Sequence, residues 1–320
     1  DGTVAYAQIL FGGTLLIWVG NSFASVLRGT GNMLVPAFVL VTCLLASIPL
    51  SGALTLGWFG LPMFGVRGPA IAFVAAFGSA GLVMAIYIVS GRAGLNFRIR
   101  GIPLKAELFA DILRVGLVAG ANAVLTIGTV IAVTALVGQY GDAALAGYGL
   151  GSRLEIMLVP IAFGIGGALT AMVGINRGAK QFARARRIAW IGGMIVLAIC
   201  GVVGLTVAVA PELWLDLFTS DPTARGVARQ YLLIAGPTYA FFGLGMALYF
   251  ATQGTGHMLW PLAAGVLRVI VVVGCGGLLV TAFQAPLWAL FICVACGLAV
   301  FGLTIAGSVR YGANWNPCLL

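Results

Sequence analysis

Charge is scarce in this chain. Asp, Glu, Lys and Arg together make up 8% of 320 residues, only eight of these side chains are acidic, and His257 is the single histidine. A soluble fold needs far more charge on its surface, and an enzyme built on paired carboxylates or a metal needs clustered Asp, Glu, His or Cys. Neither is visible, no stretch is polar enough for a soluble catalytic domain, and the chain is expected to be neither an enzyme nor a holder of a cofactor. Cysteine is sparse as well. Cys43, Cys200, Cys275, Cys293, Cys296 and Cys318 are scattered, all but the last within apolar runs, which excludes a disulfide framework and a zinc site. The C-x-x-C of Cys293 and Cys296 lies inside an apolar helix, where free cysteine behaves as a small hydrophobe. An initiator Met and a secretory signal pattern are also missing ahead of Asp1, from which an absent upstream segment is expected.

What the chain has is apolar length. Hydrophobic residues fill 61% of positions and the mean hydropathy is +1.11, so the solvent of this fold is lipid. A spanning helix needs about 20 apolar residues. Reading such runs against Gly/Pro joints predicts nine helices near 4–27, 33–57, 66–90, 106–138, 143–176, 185–210, 224–252, 258–282 and 285–309, an all-α polytopic membrane protein. The net charge of +9 lies mostly in two loops. Arg92, Arg98, Arg100 and Lys105 occupy the first, and Arg177, Lys180, Arg184, Arg186 and Arg187 the second. Two helices separate these loops, which puts both on one side, the cytoplasmic one by the positive-inside rule. Charge distributed in this way reports topology and not nucleic-acid binding.

The sequence repeats itself. R-G-T-G-N-M-L-V-P at Arg28–Pro36 returns as Q-G-T-G-H-M-L-W-P at Gln253–Pro261. The same offset aligns Tyr6 with Tyr231, Ile9 with Ile234 and Gly20 with Gly245, and Pro69 and Ala72 match Pro286 and Ala289 across a shorter second hairpin. Both copies turn on the same membrane side, a parallel repeat about an axis along the membrane normal. Three predicted helices precede the second copy and none the first, so the reading is a six-plus-six molecule of which this chain holds nine helices, lacking the first three. The expected divisions are 1–92 for three helices of the amino-terminal lobe, 93–105 for the interlobe loop, 106–311 for the carboxy-terminal lobe and 312–320 for a cytoplasmic tail.

At Ala144–Lys180, A-L-A-G-Y-G-L-G-S-R-L-E-I-M-L-V-P-I-A-F-G-I-G-G-A-L-T-A-M-V-G-I-N-R-G-A-K resembles the eighth helix of the multidrug and toxic compound extrusion (MATE) exporters, with that family's short basic loop behind it. The R/Q-G-T-G turns, the G-V-R-G-P-A-I-A run at Gly65–Ala72 and the helix order resemble it too, over about Tyr6 to Arg310. The resemblance implies a two-lobed antiporter of the bacterial inner membrane. It would export amphipathic or cationic drugs or metabolites against H⁺ or Na⁺ by alternating access, as a monomer, with small molecules and the bilayer as its partners. The family's coupling acids are not matched at mid-membrane here, because helices 106–138 and 224–252 contain only Glu107 and Asp111, near the cytoplasmic edge. A flippase for lipid-linked sugar precursors shares the two-lobed fold and would need a cationic cavity, for which Arg153 and Arg268 qualify. A non-transporting truncated remnant is a further alternative.

Ionisable residues at membrane depth are costly and are functional candidates by default. Arg153, Glu155 and Arg268 qualify. Glu155 is about 18 Å along its helix at 1.5 Å per residue, and Arg268 reaches a similar depth from the other side, close enough to meet it. Arg153 is two residues from Glu155 and therefore on another face. Two readings of Glu155 stand side by side: a protonatable or cation-binding site, and half of an ion pair that locks helices. Asn122, Thr126, Tyr239 and Gln253 would line a carboxy-lobe cavity if the resemblance holds, or else bond between helices, and Tyr148 would face the same cavity. Tyr6, Tyr231, Trp58, Trp190, Trp214 and Trp260 sit near predicted helix ends and read as interfacial anchors.

Overall fold

A computed structural model describes residues 2–60, 62–94, 105–219, 221–312 and 315. Arg98, Arg100, Cys318 and most of the expected tail lie outside the described residues. The chain divides into two compact units, Asp1–Leu104 and Lys105–Leu320. Every regular element described is helical, as lipid demands of a backbone that must satisfy its own hydrogen bonds. Among the described residues, eight helices are long and apolar enough to cross a bilayer, or nine when one bent pair is taken as a single span.

The first unit begins with that pair, α1 (Gly2–Gly12) and α2 (Thr14–Gly29), bent by 41°. A single helix over 4–27 was expected, and the break falls at Gly12 and Gly13, two adjacent poor helix formers. A Cβ on Gly13 would stand 2.4 Å from a methyl of Val74, so the bare backbone there is what lets α4 (Gly68–Val89) close on the bend. Between them runs α3 (Leu34–Leu56), with Pro49 inside it.

The second unit opens with α5 (Ala106–Gly138), α6 (Asp142–Gly178) and α7 (Phe182–Val209). At 33 and 37 residues, α5 and α6 are about 50 and 55 Å long, well beyond a hydrocarbon core of about 30 Å. After a single turn, α8 (Glu212–Leu215), come α9 (Pro222–Ala235), a 3-10 turn at Gly236–Thr238 and α10 (Tyr239–Thr255). Asp221 caps α9 by accepting from the Thr223 amide and hydroxyl. Those bonds, the hydroxyl first, hold its carboxyl below the usual range. Arg225 pairs with Asp216, and Arg229 with Glu212 at 3.7 Å.

The helix expected at 258–282 is α11 (Leu259–Val269), a π segment at Ile270–Cys275 and α12 (Gly276–Thr281), a widening that periodicity does not reveal. The last helix is α13 (Leu287–Tyr311).

The repeat seen in the sequence is also a repeat of structure. Adding 225 to Thr14 and Leu34, the starts of α2 and α3, gives Tyr239 and Leu259, the starts of α10 and α11. The break at Gly13 recurs at the 3-10 turn, where Pro237 interrupts the ladder. Gly31 and Gly256 occupy the same place in the two turns, with φ of 86° and 76°, left-handed values that glycine alone adopts freely. Each turn closes by the same amide bond, Gly31 to the Arg28 carbonyl and Gly256 to the Gln253 carbonyl, both 3.0 Å.

Candidate functional site

The polar centre of the second unit is built by a row of small residues. On α6, Gly147, Gly151 and Glu155 are spaced four apart and share one face. A Cβ on Gly147 would stand 2.6 Å from the Ala224 carbonyl oxygen, and one on Gly151 would stand 2.4 Å from the ring of Tyr231. The two glycines therefore bring α9 against α6, the close approach that small residues permit in membranes. One turn further along the same face, the Glu155 side chain meets the hydroxyl of Tyr231.

Tyr231 donates to Glu155 Oε2 at 3.1 Å, and Arg268 Nη2 donates to Oε1 at 3.3 Å. The carboxylate side chain is 15% exposed and the arginine 8%. Two buried charges are tolerated only when paired and hydrogen-bonded. Arg268 lies in ordinary contact with Gly297 on α13, its Cγ 3.5 Å from where a Cβ would stand, and it is Val272 that such a Cβ would meet too closely, at 2.2 Å. Its guanidinium also lies 5.9 Å from the centre of the Phe242 ring, and its Nε is buried without a hydrogen-bond partner.

Tyr148 packs edge-on to Tyr231, with ring centres 5.3 Å apart. It lines a cavity of about 50 Å³ together with Thr129, Ser152, Glu155 and Arg268. A space of that size accepts water or a small ion, whereas drug-sized ligands need several hundred Å³.

The indole of Trp214 donates to the Leu150 carbonyl at 3.0 Å, setting Leu150 level with the turn at α8. Glu155 is five residues further, about 8 Å deeper at 1.5 Å per residue.

A family comparison matches the MatE model to residues 118–276. The chain belongs to the MATE family. It is 28% identical over 267 residues to the probable multidrug resistance protein YoeA of Bacillus subtilis, covering 82% of this chain and 58% of that protein. It is 29% identical to the probable multidrug resistance protein NorM of Thermotoga maritima, over 80% of this chain and 55% of the relative. The chain thus spans a little over half the length of these relatives. Among solved structures, a MOP superfamily transporter of Pyrococcus furiosus superposes with a TM-score of 0.87 at 20% identity, over 96% of this chain and 68% of that one. The Vibrio cholerae MATE transporter VcmN in its bent form superposes with 0.81 at 22%, over 98% and 70%. These likenesses establish the MATE fold for this multi-pass membrane protein.

Within the MATE fold the residues singled out from sequence separate into two groups. Glu155, Arg268 and Tyr148 come together at the cavity. Arg153 is exposed on another face of α6, 5.9 Å from the Phe218 ring. Asn122 is buried with its Oδ1 unpartnered, in the place a Gly265 Cβ would take. Thr126 is exposed and bonds to its own helix at the Asn122 carbonyl. Tyr239 is fully buried on α10. Gln253 is half-buried in the last turn of α10, and none of these four lines the cavity.

Tyr231, read as an interfacial anchor, is instead fully buried on the carboxylate. The G-x-x-x-G-x-x-x-E row on α6 was the available signal, since its two glycines mark the face that admits a partner helix. Thr129 and Ser152, the remaining polar lining residues, carry no sequence signal of that kind. Glu107 and Asp111 are both exposed.

Proposed function

We propose that this MATE protein is a secondary active antiporter of the bacterial inner membrane. It exports amphipathic or cationic drugs or metabolites against H⁺ or Na⁺ by alternating access, with residues 1–92 and 106–311 contributing to its two lobes and the monomer as the working unit. The single observation that supports this most is the Glu155 site. An acid buried beside a cavity of ionic size is the element an ion-driven carrier needs, and a purely structural ion pair does not call for a cavity. Binding of the coupling cation at Glu155 competes with Arg268 for the same carboxylate, so occupancy alters how α6 is held to α11. The names of the relatives, probable multidrug resistance proteins, support the choice of cargo.

The flippase reading needs a cationic cavity. The charge of Arg268 is met by Glu155 and Arg153 lies elsewhere, so the second unit offers that reading no support. The remnant reading turns on whether the reading frame continues upstream.

The test is efflux of a fluorescent organic cation from bacteria lacking their own pumps, expressing the full-length gene or its Glu155→Gln variant. Lowered dye retention that an uncoupler or sodium removal abolishes, and that the variant loses at least tenfold, is the expected result. Normal efflux by the variant returns Glu155 to structural duty, and no efflux by well-expressed full-length protein overturns the export reading.

A further inference from the structure

We infer that α7 carries a binding site for an anionic phospholipid. The headgroup sits on Arg184 and Arg187, and one acyl chain lies in the groove beneath them. One face of one helix carries both parts of the site. Trp190, Ile191, Met194, Ile195 and Ala198 line a shallow groove of about 450 Å³. They follow Arg184 and Arg187 at the three-and-four spacing that keeps residues on a single side of a helix. Ile191, Met194 and Ile195 are half exposed or close to it, and Arg184 and Arg187 are both exposed.

Length and charge identify the occupant. From Arg187 to Ala198 the helix rises about 16 Å at 1.5 Å per residue, which matches one leaflet, about half of a 30 Å hydrocarbon core. A ligand filling this face is therefore polar and anionic at one end and apolar for the depth of a monolayer. No acidic residue occurs between Glu155 and Glu212, and among the described residues neither Arg184 nor Arg187 enters a salt bridge. Lys180, exposed at the preceding turn, adds a third positive charge. Basic clusters next to spanning helices attract anionic headgroups by about 1 kcal/mol per Lys or Arg, roughly fivefold in affinity for each arginine. The topological reading accounts for positive charge in this loop but not for its register with an apolar groove on the same face.

The experiment uses the full-length protein in nanodiscs of mixed phosphatidylglycerol and phosphatidylcholine. Lipids retained after detergent dilution are counted by native mass spectrometry, for wild type and for the Arg184→Gln/Arg187→Gln variant. Wild type is expected to hold at least one phosphatidylglycerol in preference to phosphatidylcholine, and the variant to lose that preference by roughly 25-fold, two steps of about 1 kcal/mol. A second measurement needs no arginine change: acyl-brominated phosphatidylglycerol should quench Trp190 more strongly than brominated phosphatidylcholine, with Trp190→Phe defining that tryptophan's share of the signal. Equal retention of both lipids by wild type, equal quenching, or a variant that keeps the preference would each overturn the site. All these readouts are independent of transport, so they stand or fall apart from the export reading.

Discussion

Residues 2–89 and 222–311 are built to one pattern, with a broken span, a Gly-x-Gly turn, a second span and a third, yet among the described residues only the later copy holds a buried charge. Position 268 is arginine in the second copy, and its counterpart 225 residues earlier is Cys43. Tyr231 is fully buried on a carboxylate, whereas its counterpart Tyr6 is half-buried. The reason lies in the surroundings. In the second unit α6 and α7 pack against α9 and α10 and α5 against α11, and 33% of the most apolar window of Leu259–Thr281 is buried, against 11% for its counterpart Leu34–Leu56 among the described residues of this chain. Burial supplies Tyr231 and Arg268 with Glu155 as a partner from a helix outside the repeat.

The largest effect that tests this contrast is Arg268→Met. It leaves Glu155 buried without its counter-ion and should destabilise the protein by about 4 kcal/mol, read as a loss of thermal stability in detergent. Adding Glu155→Gln should restore most of that loss. No rescue would mean that Arg268 acts through packing on Phe242 and Gly297 and not through charge.

Helix crossings give the next difference. A Cβ on Gly302 would stand 2.1 Å from the Phe241 carbonyl oxygen, while one on Gly81 would stand 3.0 Å from the Gly20 Cα. Gly302→Ala should cost about 3 kcal/mol by overpacking and Gly81→Ala about 1, measured by the same melts. Equal costs would show that both copies are packed alike.

Tyr231→Phe removes a donor to a charged group and should cost about 1.5 kcal/mol, whereas Tyr6→Phe should be close to neutral. The smallest effect belongs to Asp221, at the start of the second copy. Its carboxyl titrates below the ordinary range when folded. The stability it adds is therefore complete above the unfolded Asp value of about 3.9 and disappears as pH falls through the lower folded value. Asp221→Ala should lower stability slightly at neutral pH and leave the most acid end nearly unchanged, so that the profile flattens as pH falls, as checked by melts from neutral to acid pH.

Much of this was open to reading from the chain alone. Spans, turns and repeat follow from the apolar periodicity and from R/Q-G-T-G, because a lipid solvent leaves a backbone few alternatives to helix. The meeting of Glu155 with Arg268 followed from depth counted along two helices. The breaks were harder to see. Gly12 and Gly13 stand in an apolar run that hydropathy treats as continuous, and the π segment at Ile270–Cys275 contains no residue that announces it.

What the sequence by itself determined is the membrane architecture, the family and the short list of charges that a bilayer would not tolerate unpaired. Only the tertiary structure decided which of these share a site. It turned Arg153 away, replaced the expected Asn122, Thr126 and Gln253 with Tyr231, Thr129 and Ser152, and reduced the space beside Glu155 to the size of an ion. The physical reason is that hydropathy reports depth, whereas the rotation of each helix about its axis is set by where glycine allows a neighbour to approach. On α6 that choice was made by Gly147 and Gly151, and Glu155 faces the side they opened.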